Sequence, residues 1–68
     1  MITQLERDIV QELKKTLRNS KFRLKDLLEW SSAPVTPREG EIAVDVVVLG
    51  TTWHCCVPAG TDKRTPGK

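Results

Sequence analysis

Apolar residues recur at helical spacing through the start of the chain, where Ile2, Leu5, Ile9, Leu13 and Leu17, with Val10 beside them, make one stripe. Thr3 followed by Glu6 has the spacing of a capping box, in which each side chain satisfies a free backbone amide at a helix start. Together they predict a helix from residue 3 to about 19, with Asn19-Ser20 as its stop. Leu24, Leu27 and Leu28 continue at helical spacing and predict a shorter second helix within Lys21–Trp30. It begins either at Lys21, capped by Ser20, or near Lys25 after a short extended link. Ser31, Ser32 and Pro34 end it, and Pro34–Gly40 reads as a loop.

From Glu41 the period changes to two. Ile42, Val44, Val46 and Val48 fall on one face of a strand, and Ala43, Asp45, Val47 and Leu49 on the other. Gly50-Thr51-Thr52 reads as a turn and Trp53–Val57 as a second strand, giving a β-hairpin. Residues 59–68, with Gly60, Pro66, Gly67 and almost no apolar content, read as a flexible tail made basic by Lys63, Arg64 and Lys68. The expected architecture is therefore a single α+β domain over residues 1–58. It has a long N-terminal amphipathic helix, a short second helix and a C-terminal β-hairpin, followed by a disordered basic tail.

A lone hairpin is marginal in water and must be covered. With one face on the helix stripe, Val47, Leu49 and part of the Trp53, Cys55 and Val57 set still call for a partner. Val47, Leu49 and Trp53 are the candidate interaction surface. Pairing with a second copy through the sheet edge or face is the first expectation, and another protein the next.

Composition narrows the classes. A chain of 68 residues buries only about 60% of its unfolded surface, so oligomerisation is a common supplement at this size. Its two cysteines, Cys55 and Cys56, are adjacent. A bridge between neighbours closes no useful loop, so a reducing, cytoplasmic setting is expected rather than a secreted disulfide framework. The opening Met1-Ile2-Thr3-Gln4-Leu5-Glu6 is not a signal sequence. The longest strictly apolar run, Val46–Leu49, is far short of the ~20 residues that span a bilayer, and no membrane partner is expected.

Net charge is only +2, but its distribution is uneven. Glu6, Asp8 and Glu12 precede a run of Lys14, Lys15, Arg18, Lys21, Arg23 and Lys25 that contains no acid. Such a run can neutralise the phosphates of DNA or RNA. It is equally what a helix C-terminus favours, and long basic side chains also cover apolar surface. Were one helix to run through it, Lys14, Arg18, Lys21 and Lys25 would share a face.

Phe22-Arg23-Leu24-Lys25-Asp26-Leu27-Leu28-Glu29 resembles the second helix of winged-helix domains, and the hairpin would then be the wing. The resemblance implies DNA binding. Pro34, Pro37 and Gly40 occupy the place of a recognition helix, so that contact would be with the phosphate backbone. The acidic-then-basic helix followed by a compact sheet also resembles small phage-encoded accessory proteins in outline, though no motif carries that likeness.

His54 and Cys56 project to one side of a strand and Cys55 to the other. His54 and Cys56 are the only metal-ligand pair of this kind, and a zinc site would need further ligands from carboxylates or a second copy. Neighbouring strand residues diverge, which disfavours a Cys–His dyad, and no phosphate loop or nucleophile elbow is present. No enzymatic activity and no cofactor are expected. Trp30 and Trp53 serve either as core or as stacking anchors. The leading functional expectation is a small interaction or assembly module that associates with itself through the sheet. The alternative is a nucleic-acid-binding protein using the 14–25 basic run.

Overall fold

The computed structural model describes residues 3–64, which form α1 (Gln4–Thr16), β1 (Glu29–Ser31), β2 (Glu41–Val48) and β3 (Thr51–Pro58). Short 3-10 turns lie at Leu24–Asp26 and Ala59–Thr61. The strands make an antiparallel sheet of order β1-β3-β2, and α1 packs on one face of it. The α+β class is as expected.

The capping box is formed. The Glu6 amide donates to Thr3 Oγ1 at 3.2 Å, and the Thr3 amide donates to Glu6 Oε1 at 2.9 Å. The stripe behind it buries Ile9, Val10, Leu13 and Leu17. The helix stops at Thr16 rather than near residue 19, because Arg18 takes a left-handed conformation with φ of 54°. There Asn19 N–H donates to Lys14 C=O (3.0 Å) and Arg18 N–H to Lys15 C=O (3.2 Å), the paired bonds of a Schellman ending. The chain turns back, held by Lys21 N–H donating to Asn19 Oδ1 at 3.0 Å, and Phe22 drops fully buried into the core.

The expected second helix is not formed. Leu24–Asp26 makes one 3-10 turn, with Arg23 N–H donating to Asp26 Oδ2 (3.1 Å) and Leu27 N–H to Leu24 C=O (2.9 Å). Leu27 is already extended, Leu28 N–H donates to Cys56 C=O (2.9 Å), and Glu29–Ser31 becomes β1. The reason is non-local. Without β1, β3 would be an edge with unpaired amides and carbonyls. Pairing Trp30 with Cys55 also sets Trp30 edge-on to Trp53, with ring centroids 5.3 Å apart at 68°.

The hairpin is formed, with a tighter turn than expected. β2 and β3 pair continuously from Glu41↔Pro58 to Val48↔Thr51. The reversal is Leu49-Gly50, both with positive φ (53° and 81°), a two-residue type I′ turn. Thr51 and Thr52, expected in the turn, are β-branched and extend β3 instead. Val44, Val46, Val48, Cys55 and Val57 face inward onto Ile9, Leu13, Leu17 and Phe22, with Leu5, Leu24, Leu27, Trp30, Ile42 and Trp53 around them.

The first part of the expected tail is joined to the domain. Asn19 Nδ2 donates to Thr61 C=O (2.9 Å), and Lys63 N–H donates to Leu17 C=O (2.9 Å), satisfying a carbonyl at the end of α1. Residues 65–68 of that segment lie outside the described residues. Among the described residues no helix is long and apolar enough to cross a membrane.

Candidate functional site

Two surfaces concentrate features that the core does not require. The first is the outer edge of β2. Ala59 N–H donates to Gly40 C=O at 2.9 Å, which fixes the parity of the ladder. Ile42, Val44, Val46 and Val48 therefore exchange hydrogen bonds with β3, and the amides and carbonyls of Ala43, Asp45 and Val47 point away from it. The amide of Glu41 is already spent on Arg38 C=O at 2.9 Å. β2 is eight residues long, and its edge carries no lysine, proline or bulge; of the devices that keep an edge from pairing it has only the charges of Glu41 and Asp45. β1, the other edge, has only three residues.

Beside this edge stand Val47, 60% exposed, and Leu49, 91% exposed at the hairpin tip. Trp53 does not join them. It pairs with Val46 and lies on the inner face, half-buried against Trp30. The register likewise turns Cys55 and Val57 inward, so the apolar excess on the outer face is smaller than the sequence implies. Among the described residues the exposed large apolar side chains are Val47, Leu49 at the hairpin tip and, just before β1, the 48% exposed Leu28.

The second surface is basic. The helix ends before Arg18, so Lys14, Arg18, Lys21 and Lys25 are not on one helical face. Lys15 approaches Glu12 at 3.9 Å, Arg18 sits in the helix-ending turn, and Lys25 lies in the 3-10 turn. Of the run, Lys14 and Arg23 line one groove between α1 and residues 22–24, which Arg7 also lines. Arg7 was not singled out by the basic run. The signal for it is its position two helical turns before Lys14 on the same side of α1.

The outer face places His54 next to Asp45, with Nδ1 and Oδ1 2.8 Å apart. Cys56, on that same face, is nevertheless 1% exposed. Burial raises its thiol pKa, Glu29 and Glu41 add to the rise, and Arg38 opposes it. Among the described residues no three His, Cys, Asp or Glu side chains converge as metal ligands. Cys55, wholly buried on the inner face, has its pKa pushed up from 9.0 to about 11, chiefly by burial and then by Asp45 and Cys56. A thiol this protonated is a poor nucleophile.

The fold and these surfaces define a small helix-on-sheet protein with one long open edge. Compared with protein-family models, curated proteins and solved structures, the chain matches none.

Proposed function

We propose that the protein is a small non-enzymatic assembly module that associates with a second copy of itself by pairing β2 against β2. The observation that carries this reading is the eight-residue open edge, with Ala43, Asp45 and Val47 directed outward and no lysine, proline or bulge on it. Antiparallel self-pairing keeps both inner faces on one side only when residues of like parity oppose each other. Centring on Asp45 sets two carboxylates face to face, and like charges directly opposite are destabilising. Centring on Val44 places Glu41, whose amide is already bonded, within the ladder. Centring on Val46 avoids both. It sets Asp45 opposite Val47 of the second copy and brings the exposed Leu49 over the second copy's Ala43. The two sheets then join as one of six strands, continuous across both chains.

Sedimentation equilibrium over a range of protein concentrations and salt tests this directly. A dimer that grows with concentration and persists at high salt supports edge pairing, because backbone hydrogen bonds and apolar contact are weakly screened. Val47→Asp should return the protein to monomer with an unchanged far-UV circular dichroism spectrum, since it sets a second carboxylate opposite Asp45 of the second copy, and like charges directly opposite are destabilising. A wild-type protein that stays monomeric at millimolar concentration overturns the reading.

A further inference from the structure

We infer that the groove between α1 and residues 22–24 is a binding site for a small amphiphilic anion, a short apolar chain or single ring carrying one terminal carboxylate or phosphate. The groove has a volume of about 210 Å³, below the ~300 Å³ at which drug-sized pockets begin. It therefore fits a small molecule and not a folded partner. Val10, Phe22 and Leu24 close its floor, and its lining is mostly apolar.

Its rim is cationic. Arg7 and Lys14 stand on α1 seven residues apart, about 10 Å along the axis at ~1.5 Å per residue, and Arg23 faces them from the returning chain. Among the described residues no carboxylate comes within 4.0 Å of any of the three, whereas Lys15 and Arg64 each have one. Glu6 also touches the groove, but its Oε1 accepts from both the amide and the hydroxyl of Thr3, at 2.9 and 3.2 Å. Its charge is thus held toward the helix start.

Among the described residues, Arg7, Lys14 and Arg23 stand around the groove with no carboxylate within 4.0 Å. An anion with an apolar body pairs with these cations and covers the half-buried Leu24 and the aliphatic stems of the rim in one step. A bare anion gains only the first, and a neutral apolar molecule only the second. The site is separate from the β2 edge, so occupancy and association are read independently.

The test is titration of isotope-labelled protein with sodium octanoate, 1-octanol and inorganic phosphate, followed by amide chemical shifts. Octanoate should shift Val10, Phe22 and Leu24 saturably and bind about tenfold more tightly than either control, the gain typical of one charge-assisted hydrogen bond. Arg7→Gln and Arg23→Gln, both at exposed positions, should each weaken octanoate several-fold and leave octanol unchanged. Equal affinity for octanoate and octanol overturns the proposal, as does equal affinity for octanoate and phosphate. Octanoate shifts centred elsewhere, or none up to its solubility limit, overturn it as well.

Discussion

Arg18 and Leu49 are the two non-glycine residues of the described chain with positive φ, at 54° and 53°. For an L-residue this conformation costs roughly 1–2 kcal/mol, and neither side chain recovers it by burial. At Arg18 the Schellman ending asks for glycine. Arg18→Gly should therefore raise the unfolding free energy by about 0.5–1 kcal/mol, after allowing for the larger unfolded-state entropy of glycine. At Leu49 the type I′ turn asks for asparagine before Gly50. Leu49→Asn should stabilise the monomer by roughly 1 kcal/mol in urea titrations and at the same time weaken self-association. Opposite signs in the two readouts identify Leu49 as a residue held in strain for its exposed side chain. The thiol of Cys55 gives a residue-scale pH dependence. Its folded pKa, about 11, lies above the ordinary 9.0. The associated stability is complete below pH 9 and declines as pH rises toward 11. Urea midpoints measured across that interval should fall more steeply in wild type than in Cys55→Ala.

At the scale of elements, legibility follows the range of the forces that form each one. α1 was readable because its signals are local: a stripe, a capping box, acids early and bases late. Thr3→Ala should cost about 1 kcal/mol of stability by denaturant titration, the usual worth of such a cap. The pattern of β2 was readable for the same reason, and its inward set of Ile42, Val44, Val46 and Val48 is the observed one. β1 was not. Leu24, Leu27 and Leu28 fit a helix as well as they fit a 3-10 turn entering a strand, and only the open side of β3, distant in sequence, decides between them. Trp30 shows what that pairing contributes, since it reaches the core only through its register with Cys55. Trp30→Ala should destabilise by about 2 kcal/mol, below the 3–5 kcal/mol of a fully buried aromatic because Trp30 is half-buried. The candidate edge was half legible. Val47 was identified from alternation, but the outward backbone of Ala43, Asp45 and Val47 depends on a hydrogen-bond parity that composition does not encode. Trp53 reads as a surface residue in the sequence because its register with Val46 follows from a turn one residue earlier than the one the threonines suggest.

For the whole molecule, closure depends on a segment with few apolar residues. After β3 the chain passes Ala59–Thr61, and Lys63 donates to the Leu17 carbonyl while Asn19 donates to that of Thr61. These bonds tie the end of the sheet to the end of the only helix among the described residues. Asp62 and Arg64 hold the crossing in shape, with Arg64 Nε on Asp62 Oδ1 and Nη2 on Oδ2, both at 2.9 Å. The Asp62 carboxyl is accordingly kept below its ordinary pKa, first by the Arg64 side chain and then by the Arg64 amide. A depressed carboxyl pKa contributes stability above the unfolded value and loses it as pH falls through the folded one. The segment should therefore loosen only in strong acid, below pH 3.8. At neutral pH the informative variant is Asn19→Ala. It removes the Thr61 bond and the Asn19 Oδ1 acceptor that the Lys21 amide uses, and it leaves the backbone bond from Phe22 N–H to Asn19 C=O in place. Amide hydrogen exchange should then quicken at Lys21 and Lys63 by about tenfold, matching the loss of about 1 kcal/mol per hydrogen bond, while Val44 and Val46 keep their protection. If Val44 and Val46 quicken by the same factor, residues 59–64 open only with the whole sheet, and the crossing is part of the cooperative core. If Lys63 alone is insensitive, its bond to Leu17 stands without Asn19, and the end of α1 is closed by the backbone of the crossing rather than by the side chain that spans it.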